Sequence, residues 1–93
     1  MDEIIQAIKN ERVRQLDLWG NDFDDKHTIA DWSAFINRYL SRASEDNTLW
    51  KETRIFNVTE IRTNLIKAGA IVVAAIEALD RNGENFAKRH YEK

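Results

Sequence analysis

The stretch Leu65-Ile-Lys-Ala-Gly-Ala-Ile-Val-Val-Ala-Ala-Ile-Glu-Ala-Leu79 decides the fold. It is apolar on every side except at Lys67 and Glu77. A helix that is hydrophobic all round has to be enclosed by other elements. Ala68, Gly69, Ala70, Ala74 and Ala75 are small and let neighbouring backbones come close. The run falls short of the about 20 apolar residues that a membrane span needs. Lys67 near its start and the charged flanks Arg62, Asp80 and Arg81 also argue against lipid. The stretch therefore reads as the central helix of a helical bundle, with Lys67 a charge carried into or beside the core.

The totals agree with one small all-α domain spanning residues 1–93. Three main helices and a short C-terminal segment are available. Three helices hardly cover an all-round apolar one, so homo-oligomerisation is expected to supply the missing wall. With 43% hydrophobic and 32% charged residues the composition is that of a globular protein. A formal net charge of -2 gives no global attraction to a nucleic acid polymer. The absence of cysteine excludes disulfides and thiolate metal sites. The acidic opening Met1-Asp-Glu-Ile-Ile5 lacks a signal-peptide pattern, and a cytoplasmic location is expected.

Outward from the central helix, residues 2–19 form the first helix. Ile5, Ile8, Arg12, Gln15 and Trp19 share one face at spacings of three and four. Arg12 and Gln15 stand where leucines would be expected. Either Arg12 lays its methylenes on the core with its head in water, or both residues line a pocket between helices. Gly20 ends this helix, and residues 21–27 follow as a loop. Its Asp24, Asp25 and His27 have the chemistry to hold a divalent cation or to orient a phosphate through water. Carboxylates in that position also suit the positive end of the next helix dipole, and that reading is preferred.

Thr28-Ile-Ala-Asp31 has the form of a capping box and starts the second helix, which is expected to run to about Ala43. Trp32, Phe35, Ile36, Tyr39, Leu40 and Ala43 make its buried stripe. Arg38 and Arg42, one turn apart, either grip a phosphate or form a solvated basic edge. The connection 44–57 is long, and its Trp50, Lys51 and Arg54 either form a lid or cover the bundle end. Asn57-Val-Thr-Glu60 caps the third helix, expected to end near Arg81, on which Asn64, Lys67 and Ile71 share a face. Residues 84–93 read as one more short turn or a frayed tail, with His90 at the surface.

No serine or threonine has a base and an orienting acid beside it, and no glycine-rich phosphate loop is present. No helix carries the paired glutamates of a magnesium-dependent phosphohydrolase. The helices offer instead Arg12, Gln15, Arg38, Arg42, Asn64 and Lys67, which are donors and mostly cations. Converging, they suit an anionic ligand held without a metal.

Three patches resemble the MazG-like group of all-α nucleotide pyrophosphohydrolases, in particular its small phage-encoded members. The first is Glu11-Arg-Val-Arg-Gln15 with Trp19-Gly20. The second is Asp24-Asp-Lys-His-Thr28, with Trp32 and Tyr39 following. The third is Leu65-Ile-Lys-Ala-Gly-Ala70 through Ile76-Glu-Ala-Leu-Asp-Arg81. Together they span roughly residues 4 to 81. The resemblance implies a helical fold and a nucleotide ligand placed between helices. Active members carry an E-E-x-x-E motif and an E-x-x-D motif whose carboxylates hold Mg²⁺. Aligned on this chain, the first motif falls on Arg38, Tyr39 and Arg42, and the second on Asn64 and Lys67. Every metal-binding carboxylate is replaced, three of them by cations. The resemblance with these departures implies a binder, and not a hydrolase, of a nucleotide or cyclic nucleotide. It would need no cofactor, and Trp19 would join the donors above at the ligand. For a phage protein in its host's cytoplasm this suggests an accessory or anti-defence role. The alternative is a divergent pyrophosphohydrolase that uses Asp24, Asp25 and His27 to hold Mg²⁺. A purely structural protein, in which the oligomer is the product, is a third reading.

Overall fold

A computed structural model describes residues 1–48 and 58–86. The suggested lid at Trp50, Lys51 and Arg54, the cap residue Asn57 and the tail with His90 lie outside the described residues. Helix α1 spans Asp2–Asp24, α2 Ile29–Thr48 and α3 Val58–Asn82, followed by a 3-10 turn at Gly83–Asn85. The described residues form no strand.

Local chemistry sets these ends. Asp2 and Glu3 occupy the first turn of α1, where carboxylates complement the helix dipole. At α2 the capping box is reciprocal: the Asp31 amide donates to Thr28 Oγ1 at 3.3 Å, and the Thr28 amide donates to Asp31 Oδ2 at 2.9 Å. α3 has Glu60 in its first turn and Arg81 in its last, again with the dipole. Two boundaries differ from expectation. Gly20 interrupts α1 at φ 78°, ψ 168°, but helical structure resumes beyond it to Asp24, so most of the expected loop is a helical turn. α2 runs past Ala43 to Thr48, since no glycine or proline stops it earlier.

α3 is the spine. The Ile8–Gly69 and Asp25–Arg81 contacts advance together along both segments, so α1 runs parallel to α3. Trp32 packs with Ala78 and Phe86, while Tyr39 lies beside Lys67, so α2 runs antiparallel to it. Both helices pack on α3, yet no Cα of α1 lies within 8 Å of α2. The alanines of α3 permit this close approach: Ala68, Ala70, Ala74 and Ala78 are all buried. With Trp32, Ile71 and Phe86 they supply most of the buried apolar residues, and Phe35, Ile36, Tyr39 and Ala75 pack against that cluster.

Enclosure is incomplete within one chain. Leu65, Val72, Ile76 and Leu79 of α3 are 50%, 40%, 53% and 46% exposed. Leu40, expected in the buried stripe of α2, and Ile5, expected in that of α1, are also exposed. Two helices cover two sides of α3 and leave a third open. No helix among the described residues is long and apolar enough to cross a membrane.

Candidate functional site

Because the backbones of α1 and α2 straddle α3 with no Cα pair within 8 Å, a cleft of about 190 Å³ lies between them. Its floor is Ile71 and Ala74 of α3. Arg12, Gln15, Trp19 and Phe23 form one wall, and Trp32, Phe35, Arg38 and Tyr39 form the other. Asp24 and His27 line it beside the α1–α2 turn. Gly20 shapes the first wall: the backbone turn there lets Trp19 and Phe23 stack, with ring centres 5.9 Å apart and 25° between planes.

Arg12 is buried, and its head is held by two carboxylates. Its Nη2 donates to Asp24 Oδ2 at 2.9 Å and its Nε to Glu77 Oε1 at 2.6 Å. One guanidinium thus faces two carboxylates, which cancels its charge toward any anion in the cleft. Asp24 is itself almost fully buried. Burial pushes its carboxyl above the usual range, against the pull of Arg12. Gln15 is buried beside them, its amide donating to Glu11 Oε2 at 3.0 Å.

His27 sits in a cage of rings. It meets Phe23, Trp32 and Phe35 edge-on, at centroid distances of 4.5, 5.3 and 4.9 Å. Burial holds its pKa below the ordinary histidine value, against the opposing influence of Asp31 and Asp24. The imidazole Nε2 is buried with no hydrogen-bond partner among the described residues, and so is Trp32 Nε1. A buried polar group left unpaired costs about 1–3 kcal/mol. Both nitrogens belong to residues that line the cleft.

The expected cations distribute around Tyr39. Arg38 is exposed and lines the cleft. Arg42 Cζ and Lys67 Nζ lie 5.1 Å and 5.8 Å from the Tyr39 ring centre, within cation–π range, but neither lines the cleft. Asn64 is buried in α3 away from the cleft lining. Arg12, Gln15, Trp19 and Arg38 thus share one hollow, with Arg42 and Lys67 behind one of its walls.

The trio Asp24, Asp25 and His27 does not form a cation site. Asp24 turns to Arg12, and His27 into the rings. One oxygen of Asp25 accepts from Arg81 Nη2 at 2.6 Å, Arg81 Nε at 3.1 Å and Asn82 Nδ2 at 3.0 Å. Among the described residues no cluster of three His, Cys, Asp or Glu is placed to hold a metal ion. The sequence reading missed Phe23, Phe35 and Glu77. The available signal was Arg12: a cation on an apolar face needs an acid within reach, and Glu77 is the isolated acid of the apolar helix.

No protein-family model, no curated protein and no solved structure matches this chain.

Proposed function

We propose that this protein binds a nucleotide or nucleotide-derived phosphate ligand in the α1–α2 cleft and does not hydrolyse it. The cleft itself carries the reading. Its walls are aromatic, His27 Nε2 and Trp32 Nε1 on residues lining it have no hydrogen-bond partner among the described residues, and Arg38 stands at it with Arg42 and Lys67 around Tyr39. Flat rings favour a flat heterocycle, and unpaired ring nitrogens favour its polar edge. Fixed cations suit phosphate without a metal. The volume of about 190 Å³ is smaller than the roughly 300–1,000 Å³ of pockets that enclose a drug-sized ligand. It accommodates one ring system, and the phosphates would lie outside it toward Arg38.

The resemblance to MazG-like proteins supports the same ligand class, and the replaced carboxylates support binding over cleavage. For a phage protein in a host cytoplasm, such binding would withhold a nucleotide signal from host immunity. The open side of α3 supports an assembly of more than one copy.

The test is calorimetry and thermal shift against mononucleotides and cyclic oligonucleotides with EDTA present. Binding that survives EDTA and weakens in Arg38→Ala supports the proposal. Loss of binding with EDTA, or no response across the panel, overturns it.

A further inference from the structure

The open side of α3 has a pattern beyond being apolar. Leu65, Val72 and Leu79 recur every seven residues, and Ile76 falls on the same side. All four are 40% exposed or more. The stripe from Leu65 to Leu79 runs about 21 Å at 1.5 Å per residue, long enough for a helix–helix seam.

The charges at its ends choose the partner. Arg62 and Asp80 stand about five whole turns apart at 3.6 residues per turn, so both lie on the same edge of the stripe. Both are exposed, and neither has an ion-pair partner among the described residues. When two identical helices pair antiparallel about a two-fold axis, like edges face each other and opposite ends meet. Arg62 of one copy then comes to Asp80 of the other, twice by symmetry. In a parallel pair these two residues would lie at opposite ends of the seam. Antiparallel pairing centred near Val72 also sets Leu65 beside Leu79 of the second copy.

We infer that the occupant of this face is a second copy of the chain, docked through α3 in antiparallel register with Arg62 and Asp80 as its reciprocal end contacts. The inference rests on the proposal that the chain self-associates, and adds which face, direction and contacts are used. It leaves the ligand cleft open, because the cleft floor at Ile71 and Ala74 is on the other side of α3.

A charge-reversal cycle read by light scattering and sedimentation tests it. Arg62→Glu alone and Asp80→Arg alone should each weaken association by about tenfold or more, since each places two like-charge contacts in the seam. Mixing the two single variants should restore it, because every contact in the mixed pair is then complementary. The double variant should restore it as well. Circular dichroism reports that these surface changes leave helix content intact. A wild-type protein that stays monomeric at all concentrations overturns both self-association and this register. Association that persists unchanged in both single variants, or that the mixture fails to recover, overturns the register while self-association stands.

Discussion

Arg12 and Asp24 face each other across the break at Gly20, joined by a 2.9 Å hydrogen bond between two side chains less than a tenth exposed. The pair fastens the turn after Gly20 to the body of α1. Through Glu77 the same guanidinium fastens α1 to α3. The contact is structural, and it removes Arg12 from the cations free to meet a ligand.

Removing Arg12 leaves the buried carboxylate of Asp24 without its hydrogen-bonded cation. Arg12→Met should therefore lose about 3 kcal/mol of stability in urea unfolding. The double variant Arg12→Met/Asp24→Leu should recover most of that loss, because apolar groups need no partner there. Glu77 is half-exposed and can turn to water. A double variant no more stable than the single one would refute this account.

Adjacent aspartates should titrate in opposite directions. Burial raises the carboxyl of Asp24, despite Arg12. Burial acts the same way at Asp25, but the hydrogen bonds from Arg81 and Asn82 outweigh it and hold Asp25 low. Side-chain carboxyl NMR should place Asp24 above, and Asp25 below, the ordinary value of about 3.9. The signs follow for stability. Ionising Asp24 costs stability as pH rises from the ordinary value through its raised one. Asp25 contributes above the ordinary value, and loses that contribution as pH falls through its depressed one.

His27 makes the fold sensitive to mild acid. Its folded pKa is lowered by burial, so its contribution is complete above about pH 6.5 and is lost as pH falls through the lowered value. Urea midpoints should drop between pH 7.5 and 5.5. His27→Phe, which keeps a ring in the cage, should flatten that slope. An unchanged slope would show that the cage does not keep the imidazole neutral.

Two glycines should respond differently to alanine. At Gly20 a Cβ meets nothing within 4 Å, but φ is +78° with ψ 168°. The whole cost is backbone strain, about 1–3 kcal/mol in unfolding experiments. At Gly69 a Cβ would come 3.3 Å from Ile8 Cδ1, the movable end of that side chain. The helix gains about 1 kcal/mol from alanine, so Gly69→Ala should be close to neutral.

Ligand affinity should separate the cations. Arg38→Ala removes an exposed cleft cation and should weaken nucleotide binding about tenfold with little change in melting temperature. Asn64→Ala, away from the lining, should act through stability and not through direct contact. Calorimetry beside thermal melts distinguishes the two. Equal effects on both quantities in both variants would count against the cleft as the binding site.

Much of this was legible before any coordinates. The small-residue run at 65–79 marked the spine, Thr28 and Asp31 marked a helix start, and Arg12 with Gln15 marked a polar interruption on a core face. Local chemistry carries such signals. What was not legible depends on which residues meet across space. Arg12 finds Glu77 on another helix, and His27 is surrounded by rings from two helices. Asp24 and Asp25 are neighbours in sequence that turn to different cations, so a compact acidic cluster on paper became two separate anchors.

One consequence follows from α1 and α2 both resting on α3 with their backbones held apart. Whatever lodges between them becomes the keystone of an otherwise unfinished arch, bearing on both outer helices at once. Occupancy would then be felt along the whole length of each, as slowed amide exchange far from the point of contact, in a domain whose two sides are otherwise joined through the spine and through the rings around His27.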